Sequence, residues 1–263
     1  MSATMSATVP ALTLYNAPGS TCSQRVRFVL AVKDLPFEEH KLNLLTGDQL
    51  KPEYLRLNPN GVVPTLVHDG RAVIDSSVII EYLDEVFPEP VRLSPGDPLQ
   101  RAEMRSLMRF IDEVPAAAIR VPSFNMAFVR VYNDMPQAEF DAMADAKPLR
   151  KEFMQEMGRT GFPQAEMDKA LDRLGRTMAR LDDSIAAHGG PWLMGARLTL
   201  ADIMVMPTLV RMADIGLADI WDDRPRIAAL LEALRAHPAY DRTYYPGSHV
   251  SERFKDLAPR RPS

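Results

Sequence analysis

The chain has 263 residues, of which 46% are hydrophobic and 25% are charged, and its formal charge at pH 7 is −4. This length allows one large domain or two smaller ones, and the charge gives no general attraction to nucleic acid. A single cysteine excludes an intrachain disulfide and a thiolate-rich metal site, so we expect a reducing, cytoplasmic location.

The first residues, MSATMSATVPAL, lack the basic region and the long apolar core that are typical of secretory signals. No run of eighteen apolar residues occurs in the chain, and we therefore expect no membrane segment. We interpret residues 1–10 as a flexible tail.

Residues 11–87 change repeatedly between the two-residue period of strands and the 3.6-residue period of helices. Apolar spacing from Cys22 through Val26 and Leu30 predicts a helix that ends near Lys33. Around it we expect the strands LTLYN (12–16) and FEEHKLNL (37–44), a hairpin of PTLV (64–67) and RAVI (71–74), and a closing helix in DSSVIIEYLDEVF (75–87). The order β-α-β-(α)-β-β-α predicts an α/β domain.

Four prolines in residues 88–98 predict a linker, and almost everything in residues 99–263 has helical periodicity. Apolar residues from Met167 to Ile185 recur every three or four positions, as in an amphipathic helix. Thr199 and Asp202 have the spacing of a capping box, which predicts a helix start there. Residues 133–164 contain proline and glycine breaks, and we place them as an insert near the surface of an all-helical domain that also carries a C-terminal tail.

Four segments give the chain a resemblance to cytosolic glutathione transferases: STCSQRVRFVL (20–30), NPNGVVPTL (58–66), IDSSVIIEYLDE (74–85) and GARLTLADI (195–203). The first is similar to the zeta class, which includes maleylacetoacetate isomerases. GFPQAEMDKALDRLG, at the end of the insert, resembles bacterial β-etherases, which cleave lignin-derived aryl ethers with glutathione. The resemblance implies a thioredoxin-like domain followed by a helical-bundle domain, glutathione as co-substrate, and a homodimer.

Catalysis by such an enzyme needs glutathione as a thiolate, because a free thiol has a pKa of about 8.5. A hydroxyl donor and a helix N-terminus both favour the anion. Ser20 is placed to supply the donor, and it matches the activating serine of theta-like and zeta-like classes; the alternative is a simple N-cap. Ser23 is a second candidate. Cys22 lies on the apolar stripe, which predicts a small buried residue; the alternatives are a zeta-like assisting thiol and a disulfide with glutathione.

Glutathione must also be held at both ends. Asp75 and Ser76, at a predicted helix start, suit the ammonium and carboxylate of its γ-glutamyl end, although capping is the alternative. The resemblance implies a cis Val63–Pro64 bond and backbone pairing of Val63 with the cysteinyl peptide. Related proteins carry Gln or Lys where this chain has Val62. Gln49 is a candidate for a contact with the glycine end of glutathione.

Phe124, Phe128 and Tyr132 in RVPSFNMAFVRVY (120–132) suit an aromatic electrophile, although aromatic residues at helical spacing also form cores. Phe153 and Met157 of the insert are candidates for a lid. The five histidines show no metal-ligand spacing, so we expect no metal.

These observations favour a glutathione transferase that attacks a hydrophobic, aromatic electrophile and cleaves aryl ether bonds. Two alternatives stay open: a zeta-like maleylacetoacetate isomerase, which regenerates glutathione, and a protein that binds glutathione or a hydrophobic ligand without turnover. Either way, the expected partners are glutathione and a small electrophile, and not nucleic acid or membrane.

Overall fold

A computed structural model describes residues 11–257, so the tail predicted at residues 1–10 lies outside it. The first half contains one mixed sheet with the strand order β2-β1-β3-β4. β1 is parallel to β2 and antiparallel to β3, which is antiparallel to β4. The strands are β1 (Leu12–Asn16), β2 (Glu38–Lys41), β3 (Thr65–His68) and β4 (Arg71–Ile74).

Two strands differ at their ends from the sequence-based prediction. β2 stops at Lys41 instead of residue 44, because Asp48 Oδ2 accepts a hydrogen bond of 2.8 Å from Asn43 N and turns the chain. β3 starts one residue later than predicted, since Pro64 has no N–H for the ladder. The sheet and its helices α1 (Thr21–Val32), α2 (Pro52–Leu55) and α3 (Ser76–Val86) form the thioredoxin-like half, with a 3₁₀ turn at Asp48–Leu50.

The second half is helical. The capping box predicted at Thr199 is confirmed at the start of its most buried helix, where Asp202 Oδ2 accepts a hydrogen bond of 2.8 Å from Thr199 N. The helices are α4 (Pro98–Glu113), α5 (Pro115–Ala118), α6 (Arg120–Met126), α7 (Gln137–Asp145), α8 (Lys151–Met157), α9 (Gln164–His188), α10 (Leu200–Asp214), α11 (Pro225–Ala236), α12 (Ala239–Thr243) and α13 (Val250–Arg253), with 3₁₀ turns at Phe128–Val131, Ala218–Trp221 and Lys255–Leu257.

Helix α1 lies at the centre of the molecule. Its residues from Ser23 to Leu30 are all buried, and it packs against α3 of its own half and against α10 and α12 of the other. One apolar core therefore runs through both halves. The insert has a smaller apolar cluster of its own, in which Phe140 and Met154 pack beside Tyr132.

The segment that joins the halves is held by a buried ion pair. Lys33 Nζ lies 2.8 Å from Asp84 Oδ1, and the exposed fractions of the two side chains are 0% and 1%. Lys33 also donates to the carbonyls of Phe87 and Val91, and Asp84 accepts from the backbone of Leu93 and Ser94. The connection between the halves is thus fixed and not a loose tether. Across residues 11–257, no helix has both the length and the apolar character needed to cross a membrane.

Candidate active site

Helix α1 begins at a cavity between the two halves. Ser20 is its N-cap, with φ −79° and ψ 119°, and Ser20 Oγ accepts a hydrogen bond of 3.3 Å from Ser23 N. Ser20 is half-buried and lines the cavity. Capping uses an oxygen lone pair and leaves the O–H able to donate. The site therefore combines a hydroxyl donor with the electropositive end of a twelve-residue helix.

The cavity has a volume of about 410 Å³, within the range of roughly 300–1,000 Å³ that is usual for small-molecule sites. On one side lie the turn that precedes α1 and the loop of residues 60–63. The other side is formed by α6, the insert and the C-terminal segment. A ligand in this cavity would contact both halves of the molecule.

The other two candidates at the start of α1 differ in position. Ser23 is fully buried, its Oγ accepts from Ala17 N at 3.4 Å, and it does not line the cavity. Its hydroxyl stabilises the turn that precedes α1 but is not part of the cavity wall. The expectation that its helical spacing buries Cys22 is wrong: this free thiol is half-buried and lines the cavity, because the cavity lies at the N-terminus of the helix where Cys22 is the second residue.

Two of the proposed glutathione contacts lie in the cavity wall. The Val63–Pro64 bond is cis, as the resemblance implied, and Val63 lines the cavity although Pro64 does not. Within residues 11–257 the N–H and C=O of Val63 form no hydrogen bond, whereas Val62 O accepts from Tyr54 and Asn58. Gln49 is 5% exposed and donates to Leu44 O, and its Oε1 has no partner among the described residues.

Asp75 and Ser76 lie at the start of α3 and do not line the cavity. Asp75 has φ 72°, an unfavourable region for a residue with a side chain, and its carboxylate caps α3 by accepting from Ser77 N at 2.9 Å. Ser76 Oγ accepts from Arg25 at 3.1 Å. The structure thus shows a capping role for Asp75; a contact with the γ-glutamyl end stays a proposal.

The three aromatic residues predicted for the second substrate all line the cavity. The Phe124 ring lies 5.2 Å from that of Phe128 and 5.0 Å from that of Phe153, measured between ring centres. Phe124 and Tyr132 also pack in the apolar cluster of the insert, so pocket and core share these side chains. Of the two lid candidates, Phe153 lines the cavity, whereas Met157 is buried in that cluster and does not.

Sequence reasoning missed the C-terminal segment as part of the wall. His249, Val250 and Phe254 line the cavity, and Asp214 at the end of α10 holds this segment by accepting from Val250 N at 2.6 Å. The only signal for this in the sequence is the four-residue spacing of Val250 and Phe254. Arg211, also missed, donates to Gly19 O at 2.6 Å and so fixes the turn before Ser20.

Comparison with known proteins agrees with this architecture. Residues 14–91 match the N-terminal domain and residues 164–233 the C-terminal domain of the glutathione S-transferase family. Protein LigF of Sphingobium sp. strain SYK-6 is 31% identical over 73% of this chain and 75% of its own length. Maleylacetoacetate isomerase of Pseudomonas aeruginosa is 32% identical over 86% of this chain and 92% of its own length.

The same relation holds in three dimensions. The crystal structure of the β-etherase LigF from Sphingobium sp. strain SYK-6 superimposes with a TM-score of 0.80 and 28% identity, covering 89% of this chain and 98% of the other. The chain belongs to the glutathione S-transferase family and is a glutathione-dependent enzyme.

Proposed function

We propose that this enzyme cleaves aryl ethers with glutathione. The thiolate attacks the carbon that bears an aryloxy group, a C–S bond forms, and the C–O bond breaks with its electron pair on the leaving oxygen, which then takes a proton. One observation carries the proposal: the Ser20 hydroxyl and the aromatic side chains Phe124 and Phe128 line the same cavity. The likeness to the β-etherase LigF supports it.

In this reaction Ser20 donates its hydroxyl hydrogen to the sulfur, while the N-terminus of α1 stabilises the negative charge. Both interactions favour the thiolate over the thiol and so lower the pKa of bound glutathione. We assign Ser23 no contact with the sulfur, because its Oγ is buried against Ala17 N. Cys22 lines the same cavity and is a second candidate for a contact with bound glutathione.

Glutathione is held along the thioredoxin-like half. The unpaired N–H and C=O of Val63 pair with its cysteinyl residue as in a short strand. The unpartnered Oε1 of Gln49 accepts from an N–H of the tripeptide. Asp75 and Ser76 take the γ-glutamyl end at the N-terminus of α3.

The aromatic electrophile occupies the side of the cavity that the helical half provides. Phe124, Phe128 and Tyr132 line this side, and their rings favour contact with an aromatic guest. Phe153 covers this region from the insert.

The test uses phenacyl phenyl ether with glutathione, followed by chromatography and mass spectrometry. We expect phenol and S-phenacylglutathione in equal amounts, with one glutathione consumed per ether cleaved. Heat-denatured enzyme corrects for the uncatalysed reaction. If a panel of such ethers yields neither product above that background, the proposal is wrong.

A second candidate is a zeta-like cis–trans isomerisation in which glutathione is returned unchanged. The maleylacetoacetate isomerase relative and the position of Cys22 beside Ser20 in the cavity favour it. Maleylacetoacetate converted with glutathione fully recovered would select this reaction. Equilibrium binding of glutathione without turnover of either substrate would select a binding protein.

The family resemblance also supports a cytoplasmic homodimer. Val78 on α3 and Leu99 on α4 are 53% and 78% exposed and so are available for contact with a second subunit. Sedimentation analysis should give twice the chain mass, and a single-chain mass would contradict the dimer.

A further inference from the structure

We propose that Arg120 and Arg150 bind a carboxylate on the aromatic electrophile, so that the enzyme prefers an aromatic acid to its neutral analogue. This inference rests on the proposed attack of glutathione on an aromatic electrophile, and it adds the charge of the substrate. Arg120 begins α6, and Arg150 lies in the insert between α7 and α8.

The charge of the cavity wall is one-sided. Arg120, Lys147 and Arg150 are half-buried in it, together with buried Arg211 and exposed Arg253, and none of the lining side chains is Asp or Glu. Arg211 is engaged with the Gly19 carbonyl. The cavity therefore has a positive field with no anionic side chain of the wall to balance it.

The three half-buried cations of this wall also have no partner outside it among the described residues. Within residues 11–257, the side chains of Arg120, Lys147 and Arg150 take part in no ion pair or hydrogen bond, although most other buried cations do. Residues 1–10 and 258–263 contain no Asp or Glu that could neutralise them. Half-buried charges without partners are unfavourable for the folded protein, and a bound anion would relieve this.

The two arginines act on each other. Burial, followed by the neighbouring charge of Arg120, lowers the pKa of Arg150, and burial lowers the pKa of Lys147. Two guanidinium groups in the wall of one cavity favour a ligand that carries a negative charge and can accept two hydrogen bonds from each. A carboxylate has both properties.

The position of Arg150 indicates which substrate carries the anion. The insert packs directly on the first half: a Cβ on Gly61 would lie 3.0 Å from Pro148 Cδ. Arg150 lines the same cavity as Ser20 and Cys22, at the start of α1 where the sulfur reacts. The carboxylates of glutathione lie at its two ends, away from its sulfur. The anion near Arg150 thus belongs to the electrophile.

The experiment compares 4-chloro-3-nitrobenzoate with 4-chloro-3-nitrobenzamide. In both, the thiolate displaces chloride from the ring, so aryl ether cleavage is not required. Each kcat/KM is divided by the rate of the uncatalysed reaction with glutathione, which removes the difference in intrinsic reactivity. We expect the wild type to favour the benzoate by about tenfold or more.

Arg150→Gln should remove most of this preference, because it should lower kcat/KM for the benzoate several-fold more than kcat/KM for the benzamide. Arg150→Lys should keep part of it, because it keeps the charge. Lys151→Gln is the matched control, since Lys151 is the next residue but pairs with Asp145 at 3.2 Å and does not line the cavity. Equal loss for both substrates, or a change confined to glutathione, overturns the inference.

Calorimetry with reaction products separates this inference from the proposed reaction. S-(4-carboxy-2-nitrophenyl)glutathione should bind the wild type about tenfold more tightly than its carboxamide, and Arg150→Gln should abolish the difference. Turnover is not needed for this measurement. A carboxylate preference without ether cleavage would refute the aryl-ether reaction alone, whereas equal affinities would refute the anion site alone.

Discussion

Two functions of Ser20 use different parts of one hydroxyl group: the oxygen caps α1, and the hydrogen is available to the thiolate. Ser20→Ala should lower turnover at pH 6.5–7 by roughly 10- to 150-fold, the equivalent of one hydrogen bond to a charged group of about 1.5–3 kcal/mol. Above the ordinary thiol pKa of about 8.5 the thiolate forms without help, so the deficit should shrink. Turnover measured from pH 6 to 9.5 checks this.

Ser23→Ala is the control for Ser20, because it removes a hydroxyl three residues away that supports the turn but does not line the cavity. It should lower the free energy of unfolding and leave the shape of the pH profile unchanged. Ser20→Thr keeps both hydroxyl functions and should retain most of the activity. A Ser20→Ala profile parallel to that of the wild type would argue against the thiolate contact.

Lys33 and Asp84 stabilise the fold as a pair, and either buried charge without the other destabilises it. Lys33→Met should lower the free energy of unfolding by about 3–5 kcal/mol, because it leaves the Asp84 carboxylate buried without its cation. The double variant Lys33→Met/Asp84→Leu should lose less, since neither charge remains. Urea unfolding of the two single variants and the double variant measures this coupling.

The same pair predicts how stability depends on pH. Burial alone would raise the pKa of Asp84, but Lys33 and the hydrogen bonds from Ser94 and Leu93 outweigh it and hold this pKa below its ordinary value. A carboxylate with a depressed pKa stabilises the fold above its unfolded pKa of about 3.9, and this contribution is lost as the pH falls below that value. Wild-type stability should therefore fall more steeply below pH 4 than that of the double variant.

At the scale of elements, the C-terminal segment forms part of the pocket only while α10 holds it. Asp214→Asn weakens the bonds to Val250 N and to the Ser251 hydroxyl, and so loosens the wall formed by His249 and Phe254. We expect KM for the electrophile to rise several-fold while KM for glutathione stays nearly constant. Asp222→Asn, an exposed site on the same half, is the control. A rise in both KM values would mean that the segment supports the whole fold.

Elements whose boundaries are set by neighbouring residues could be predicted from the sequence, whereas contacts between distant segments could not. β1 and β4 follow the predicted bounds, because alternation and short turns act within a few residues. The capping box at Thr199 is equally local. The burial of Cys22 was predicted wrongly, because Cys22 continues the apolar stripe of Val26 and yet lines the cavity. The contact between Pro148 and Gly61 depends on how two distant segments meet, which no spacing reveals.

At the scale of the whole molecule, the two halves behave as one unit because buried arginines of α1 cross between them. Arg25 is 2% exposed; its Nε donates to Met204 O at 3.0 Å, and its Nη1 to Asp112 Oδ1 at 2.6 Å and Ser76 Oγ at 3.1 Å. Arg27 reaches Thr243 O at 3.1 Å. Several of these hydrogen bonds are charge-assisted and all lie in a buried interface, where the loss of a partner strongly destabilises the folded protein.

Calorimetry of the wild type should therefore show one unfolding transition, coincident by fluorescence and circular dichroism. Arg25→Lys retains the charge but cannot span three acceptors on three helices, so it should destabilise the protein by about 2–5 kcal/mol and separate the transition into two. Arg105→Lys is the matched control: Arg105 also joins the halves, through Glu81 at 2.6 Å and Glu85 at 3.0 Å, but at the surface, and it should change stability by less than about 1 kcal/mol. Similar effects of the two substitutions would mean that the apolar core, and not the buried arginine, couples the halves.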